Sequence, residues 1–184
     1  MDQYRVGVIV ASLRKDSLNA RLADALQRLA PEALLFERIG IDDLPLYNQD
    51  DDAAPAQSVQ RLKSRITSSQ ALLFATPEYN RSIPGVLKNA LDHASRPYGK
   101  NVWAGKPAGI VGISVGAVGT AAAQQHLRTI LAYLDVPTFG QPEVYLQATE
   151  GFFDGDGGFG RDGTRKFLQG WMTRYVAWIK QQAR

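Results

Sequence analysis

Val6-Gly7-Val8-Ile9-Val10-Ala11-Ser12-Leu13-Arg14-Lys15-Asp16-Ser17-Leu18-Asn19 is the stretch that decides the architecture of this chain. An apolar run ends at Ala11, a short polar turn follows, and an amphipathic pattern opens near Ser17. A buried parallel strand, a tight turn and a helix N-terminus produce this order, because a strand covered on both faces has no polar face to alternate with. The first N–H groups of a helix have no intrahelical partner and sit at the positive end of its dipole, so such a junction favours anions. Ser12, Ser17 and Asn19 add hydroxyl and amide donors, and Arg14 adds a planar cationic fork suited to phosphate. The competing reading is an ordinary helix cap beside a solvated arginine.

Outward from this junction, strand and helix patterns alternate. Tyr4 to Ala11 reads as a central strand, and Leu18, Leu22, Leu26 and Leu29 mark one face of the next helix, which Pro31 closes. Ala33 to Ile39 reads as a second strand, followed by a loop through Leu44 to Asn48. Residues 56–69 form a helix pattern with Val59, Leu62 and Ile66 inward. Ala71 to Ala75 is a short, continuously apolar strand. Ser82 and Pro84 open a helix carrying Val86, Leu87, Ala90, Leu91 and Ala94. Pro107 to Val115 is a fourth strand, and the helix after it carries Leu127, Ile130, Leu131 and Leu134. Thr138 to Leu146 offers a fifth strand. The last helix, Thr164 to Gln181, spaces Phe167, Leu168, Trp171, Met172, Tyr175, Val176 and Ile179 as a core stripe, part of it available to a partner subunit.

Composition bounds the function. The 184 residues, 45% hydrophobic and 21% charged, suit one soluble domain spanning 1–184. Lys plus Arg exceed Asp plus Glu by 21 − 18 = 3, but the basic residues are scattered, which argues against nucleic acid and suits an enzyme recruiting anionic cofactors. The absence of cysteine excludes disulfides, thiol catalysis and cysteine-bound metals. Without a membrane-length apolar run or a signal region, a cytoplasmic location and no membrane partner are expected. No metal site is expected either. Asp50-Asp51-Asp52 reads as a solvated turn, and Asp154 to Gly158 misses the calcium-loop pattern, because Phe159 stands at its sixth position. Gly151 to Gly163 therefore reads as a mobile surface loop.

Alternating strands and helices imply a parallel sheet with right-handed crossovers, and ligands bind such sheets beyond the carboxyl ends of the strands, where strand order reverses. Three polar loops would gather there: Ser12 to Asn19, Thr76 to Gly85, and Ser114 to Thr120. No G-x-G-x-x-G follows the first strand, and Gly105-Lys106-Pro107 lacks the spacing and hydroxyl of a Walker loop. One phosphate cradle with two flanking loops fits a mononucleotide.

Ser12-x-Arg14-x-x-Ser17-x-Asn19 combined with Pro77-Glu78-Tyr79-Asn80-x-Ser82-x-Pro84-Gly85-x-Leu87-Lys88-Asn89-Ala90-Leu91-Asp92 resembles the NAD(P)H-dependent FMN reductases, in particular their chromate and quinone reductase branch. The likeness runs from Val6 to at least Asp135; one departure is Ala11, where the family usually has glycine. The resemblance implies a flavodoxin-like α/β fold: a three-layer, doubly wound sandwich with a five-stranded parallel sheet in the order 2-1-3-4-5. It implies noncovalently bound FMN, with NADPH or NADH as electron donor. By position, Ser12, Arg14, Ser17, Leu18 and Asn19 would hold the phosphate. Pro77, Glu78, Tyr79 and Asn80 would line one edge of the isoalloxazine, and Ser114, Gly116 and Gly119 the opposite edge. Arg81 is a candidate substrate contact or merely exposed, and Asn89 and Asp92 read as structural. No catalytic acid or base is demanded, since the flavin carries the hydride chemistry. His93 and His126 lack the acid and nucleophile of a hydrolase triad.

The implied reaction is ping-pong: a hydride passes to FMN N5, and a quinone, chromate, free flavin or other small acceptor then takes the electrons. The implied assembly is a homodimer or homotetramer using the helices at 84–95 and 120–134. One alternative is a nonenzymatic flavodoxin-type electron carrier, which the net charge of +3 argues against, such carriers being strongly acidic. The other is a regulatory domain that holds no flavin.

Overall fold

The computed structural model describes residues 3–182 and bears out the alternation. β1 (Tyr4–Val10) feeds the polar turn, and α1 (Leu18–Arg28) leaves it. Then come β2 (Leu34–Arg38), a single 3-10 turn at Gln49–Asp51, α2 (Gln57–Ser68), β3 (Ala71–Ala75) and α3 (Gly85–Ser95). β4 (Ala108–Ser114), α4 (Ala121–Tyr133), β5 (Val144–Gln147) and α5 (Asp162–Gln182) complete the order. All strand pairs are parallel, in the order β2-β1-β3-β4-β5, with Val8 opposite Leu73 and Leu73 opposite Gly109. This is the flavodoxin-like order, and its reversal between β1 and β3 opens a crevice at the strand ends.

The central strands read as nearly continuous apolar runs because both sheet faces are covered there. On one face α1 and α5 bury Val6, Val8, Leu22, Leu26, Leu73, Trp171 and Tyr175. On the other, α2, α3 and α4 bury Ile9, Leu62, Ile66, Leu72, Phe74, Leu87, Trp103 and Leu127. Adjacent residues such as Val8 and Ile9 go to opposite clusters, as pleating requires. Gly109 lets α5 close on the sheet, since a Cβ there would lie 2.9 Å from Trp171 and 3.0 Å from Tyr175. The Tyr175 hydroxyl donates to the Leu72 carbonyl at 2.6 Å, and burial pushes its pKa up.

Several expectations are corrected. The fifth strand does not run from Thr138. Thr138 makes one bridge to Ala108, the chain detours, and pairing resumes at Val144. Gly140 and Pro142 occupy the detour, and proline has no N–H for a ladder. The segment 151–163 is anchored rather than mobile. Phe152 and Phe159 are buried in the core, Phe153 bridges Phe159, and the Arg21 guanidinium sits 4.3 Å over the Phe153 ring. The stripe on α5 goes largely into the core, leaving Phe167 as its exposed large hydrophobic residue, so it has little apolar area to spare for a partner. No helix among the described residues is long and apolar enough to cross a membrane.

Candidate functional site

Residues expected from three separate loops meet around one cleft of about 170 Å³ at the carboxyl ends of β1, β3 and β4. Ser12, Arg14, Ser17, Leu18, Asn19, Pro77, Glu78, Tyr79 and Ser114 line it, joined by Ile113 and Val115. Asn80, Arg81, Gly116 and Gly119 are not among its lining residues.

At one end Ser17 caps α1, its Oγ accepting from the Ala20 N–H at 3.2 Å. The first turn of α1 carries no acidic residue, so apart from the Ala20 N–H held by Ser17 its leading N–H groups and its dipole are open to an incoming anion. Arg14 is exposed and forms no ion pair among the described residues. Asn19 behaves differently from the expected phosphate donor. It is buried, and its carboxamide is engaged by Ile113 of β4 through two hydrogen bonds.

The second loop is a two-residue hairpin. Tyr79 and Ser82 exchange both backbone hydrogen bonds at 3.0 Å, while Asn80 and Arg81 take φ of 51° and 64°. Positive φ at both central residues is the type I′ geometry, and asparagine tolerates it well. Glu78 is neither a solvated turn carboxylate nor a charge offered to the cleft. Its side chain is 9% exposed; Oε2 accepts from the Ala123 N–H at 3.1 Å and Oε1 from Arg81 Nη1 at 3.2 Å. Thr120, the N-cap of α4, is left-handed and its side chain makes no capping hydrogen bond, so Glu78 supplies both an acceptor and a negative charge at the positive end of the helix. Arg81, 70% exposed, belongs to this pair rather than to the cleft wall.

In the third loop Ser114 Oγ donates to the Gly116 carbonyl at 3.1 Å. Gly119 lies against β5 instead of the cleft. At φ 63° a Cβ there would stand 2.8 Å from the Tyr145 carbonyl carbon and 2.9 Å from the Leu146 nitrogen. Glycine is needed at that position for backbone approach. Behind the loop, Gln124 Nε2 donates to Thr120 Oγ1 and to the Val144 carbonyl, a buried brace between α4 and β5 that no local pattern reveals.

The remaining polar groups do not assemble a hydrolytic centre. His93 Nε2 donates to the Pro45 carbonyl, and Asn89 holds the same loop through Tyr47 N–H and Pro45 O. His126 Nδ1 lies 3.0 Å from Ser82 Oγ, but no carboxylate among the described residues bonds to the ring. No group of three or more His, Asp or Glu side chains converges among them either. Asp92 pairs with Lys88 on α3, a surface contact. The cleft thus offers an anion-binding end, exposed apolar side chains of Tyr79 and Val115 along its wall, and backbone at its edges. That donor set fits a phosphate ester of a flat aromatic system, which FMN is.

A family model described as NADPH-dependent FMN reductase matches residues 4–151. A 2-hydroxy-1,4-benzoquinone reductase from Burkholderia sp is 49% identical over 178 residues, with 97% of each chain covered. A quinone reductase from Pseudomonas putida (strain KT2440) is 47% identical over 178 residues, covering 96% of this chain and 95% of that one. Among solved structures, FerB, a flavoenzyme NAD(P)H:(acceptor) oxidoreductase from Paracoccus denitrificans, superposes with a TM-score of 0.94. It is 47% identical, with 97% of this chain and 98% of that one covered.

Proposed function

The chain belongs to the NADPH-dependent FMN reductase family, and on that premise we propose that it is a quinone reductase working by a ping-pong cycle within one flavodoxin-like domain. It is an NAD(P)H-dependent FMN oxidoreductase; the acceptor, the order of events and the residue roles are the proposal. The observation that carries them is the meeting of three loops, distant in sequence, around one cleft whose two ends differ in chemistry.

Arg14, the hydroxyls of Ser12 and Ser17, and the free N–H groups at the start of α1 bind the phosphate, the guanidinium supplying a charge-assisted fork. Pro77, Glu78 and Tyr79 present mainly backbone to one edge of the ring, and Ser114 and Val115 flank the other. Bound FMN supplies the hydride-accepting N5 and passes on two electrons, so the protein contributes orientation rather than a proton-transfer residue. Quinones fit the apolar wall formed by Tyr79 and Val115. Chromate and free flavin remain further acceptors within the proposal.

With loops on both edges, donor and acceptor share the single open face and take turns on it. A cytoplasmic location, and a homodimer or homotetramer built on α3 and α4, complete the reading. Between those helices lies a shallow groove lined by Ser82, Ile83, Lys88, His126, Thr129 and Ile130. The test is a matrix of initial rates against NADPH and a benzoquinone. Parallel double-reciprocal lines that turn to mutual inhibition at high concentrations are expected. Intersecting lines refute the shared face, and purified protein that neither binds FMN nor oxidises NAD(P)H refutes the function.

A further inference from the structure

β3 and β4 separate at the mouth of the cleft, and the separation leaves an obligation. Ala75 is opposite Val111, and the Thr76 N–H donates to the Val111 carbonyl at 3.0 Å. In a parallel ladder alternate residues bond to a given neighbour, so Ile113 is the next residue of β4 to face β3. Its partners would be peptide groups on either side of Pro77, but the chain has already turned into the hairpin there. Ile113 is 1% exposed, so an unpaired N–H and C=O at that point would be costly.

Asn19 meets both needs. The Ile113 N–H donates to Asn19 Oδ1 at 3.1 Å, and Asn19 Nδ2 donates to the Ile113 carbonyl at 2.9 Å. A carboxamide carries the same donor and acceptor as a peptide group, so this side chain, 2% exposed and 94 residues away in sequence, continues the ladder in place of β3.

We propose that Asn19 is a positioning residue: its carboxamide stands in for the missing β3 peptide and fixes the phosphate turn against the Ser114–Val115 edge of the cleft. The inference rests on the flavin reading of that cleft and deepens it. Asn19 lies in the first turn of α1, two residues after the Ser17 cap, and Ile113 immediately precedes Ser114. One side chain therefore ties the two ends of the site together. Losing the brace frees the Ser114–Val115 edge as well as the turn and so weakens a ligand held at either end, whereas a direct phosphate contact would matter to the phosphate alone. Asparagine is required for the brace. Aspartate keeps the acceptor but sets a charge against the Ile113 carbonyl, and leucine satisfies neither group.

Two measurements decide it. In the flavin-free wild-type protein the Ile113 amide should exchange as slowly as the interior of β4; exchange as fast as that of the exposed Val115 overturns the brace. Asn19→Leu and Asn19→Asp are then titrated with FMN and with riboflavin, which lacks the phosphate. Both ligands should weaken by the same factor, roughly tenfold or more. Weakening confined to FMN would make Asn19 a phosphate contact and overturn the inference, as would unchanged affinity for both. If Asn19→Leu does not fold, Asn19→Asp and the wild-type exchange measurement still decide. A wild-type protein that binds neither ligand refutes the flavin reading, and the exchange result alone then judges the brace.

Discussion

The turn at Ser12–Asn19 and the hairpin at Pro77–Ser82 face each other across one cleft but are built on different length scales. Ser17 caps α1 through Ala20, three residues on, whereas Glu78 caps α4 through Ala123, 45 residues on. Arg14 keeps its charge in solvent, available to a ligand, while Glu78 spends its charge inside the protein. The first region is therefore suited to electrostatic capture. The second offers backbone held still by a distant helix, which suits orientation of a ring.

The harshest way to break this division is to disturb the long-range packing. Gly119→Ala puts a Cβ at positive φ against the backbone of β5, and should cost roughly 3 kcal/mol, lowering the midpoint of thermal unfolding by roughly 6–12 °C. A midpoint equal to that of the wild type would mean that the third loop is not held by that approach.

Next comes the capture end. Arg14→Ala should weaken FMN binding by roughly 1.5–3 kcal/mol, about tenfold to a hundredfold, and leave the melting of flavin-free protein unchanged. Fluorescence titration with FMN checks this, and equal affinity in a folded variant removes Arg14 from the phosphate end. The mildest effect sharpens the comparison. Glu78→Ala strips α4 of its remote cap and should destabilise flavin-free protein by about 1–2 kcal/mol, while Glu78→Gln, which retains an acceptor for Ala123, should lose about half of that or less. Urea denaturation of the two variants gives the answer; equal losses would show that the carboxylate charge, not the capping hydrogen bond, holds the hairpin.

Legibility followed the same division of scale. The cap at Ser17, the apolar strands and the three-loop site could be read from residue order, since each follows from periodicity or from the rule for doubly wound sheets. Where reading went astray, composition had stood in for contacts. Gly151 to Gly163 looked mobile from its glycines and aspartates, yet Phe152 and Phe159 bury themselves and hold it. The apolar trio Phe152, Phe153 and Phe159 was the available signal. The detour before β5 was marked only by Gly140 and Pro142, and a glycine such as Gly119 does not announce which backbone it must admit.

By itself the sequence determined the order of strands and helices, the anion-friendly turn, and the family to which the paired motifs belong. These are properties of spacing within a few residues or of whole motifs. Tertiary structure alone decided what Asn19, Glu78 and Gly119 do. Their partners are Ile113, Ala123 and the backbone of Tyr145 and Leu146, all far away along the chain. The physical reason is that a strand end or a helix start leaves polar backbone groups that burial obliges the protein to satisfy. Which side chain meets that obligation depends on what the fold brings within about 3 Å, the reach of a hydrogen bond.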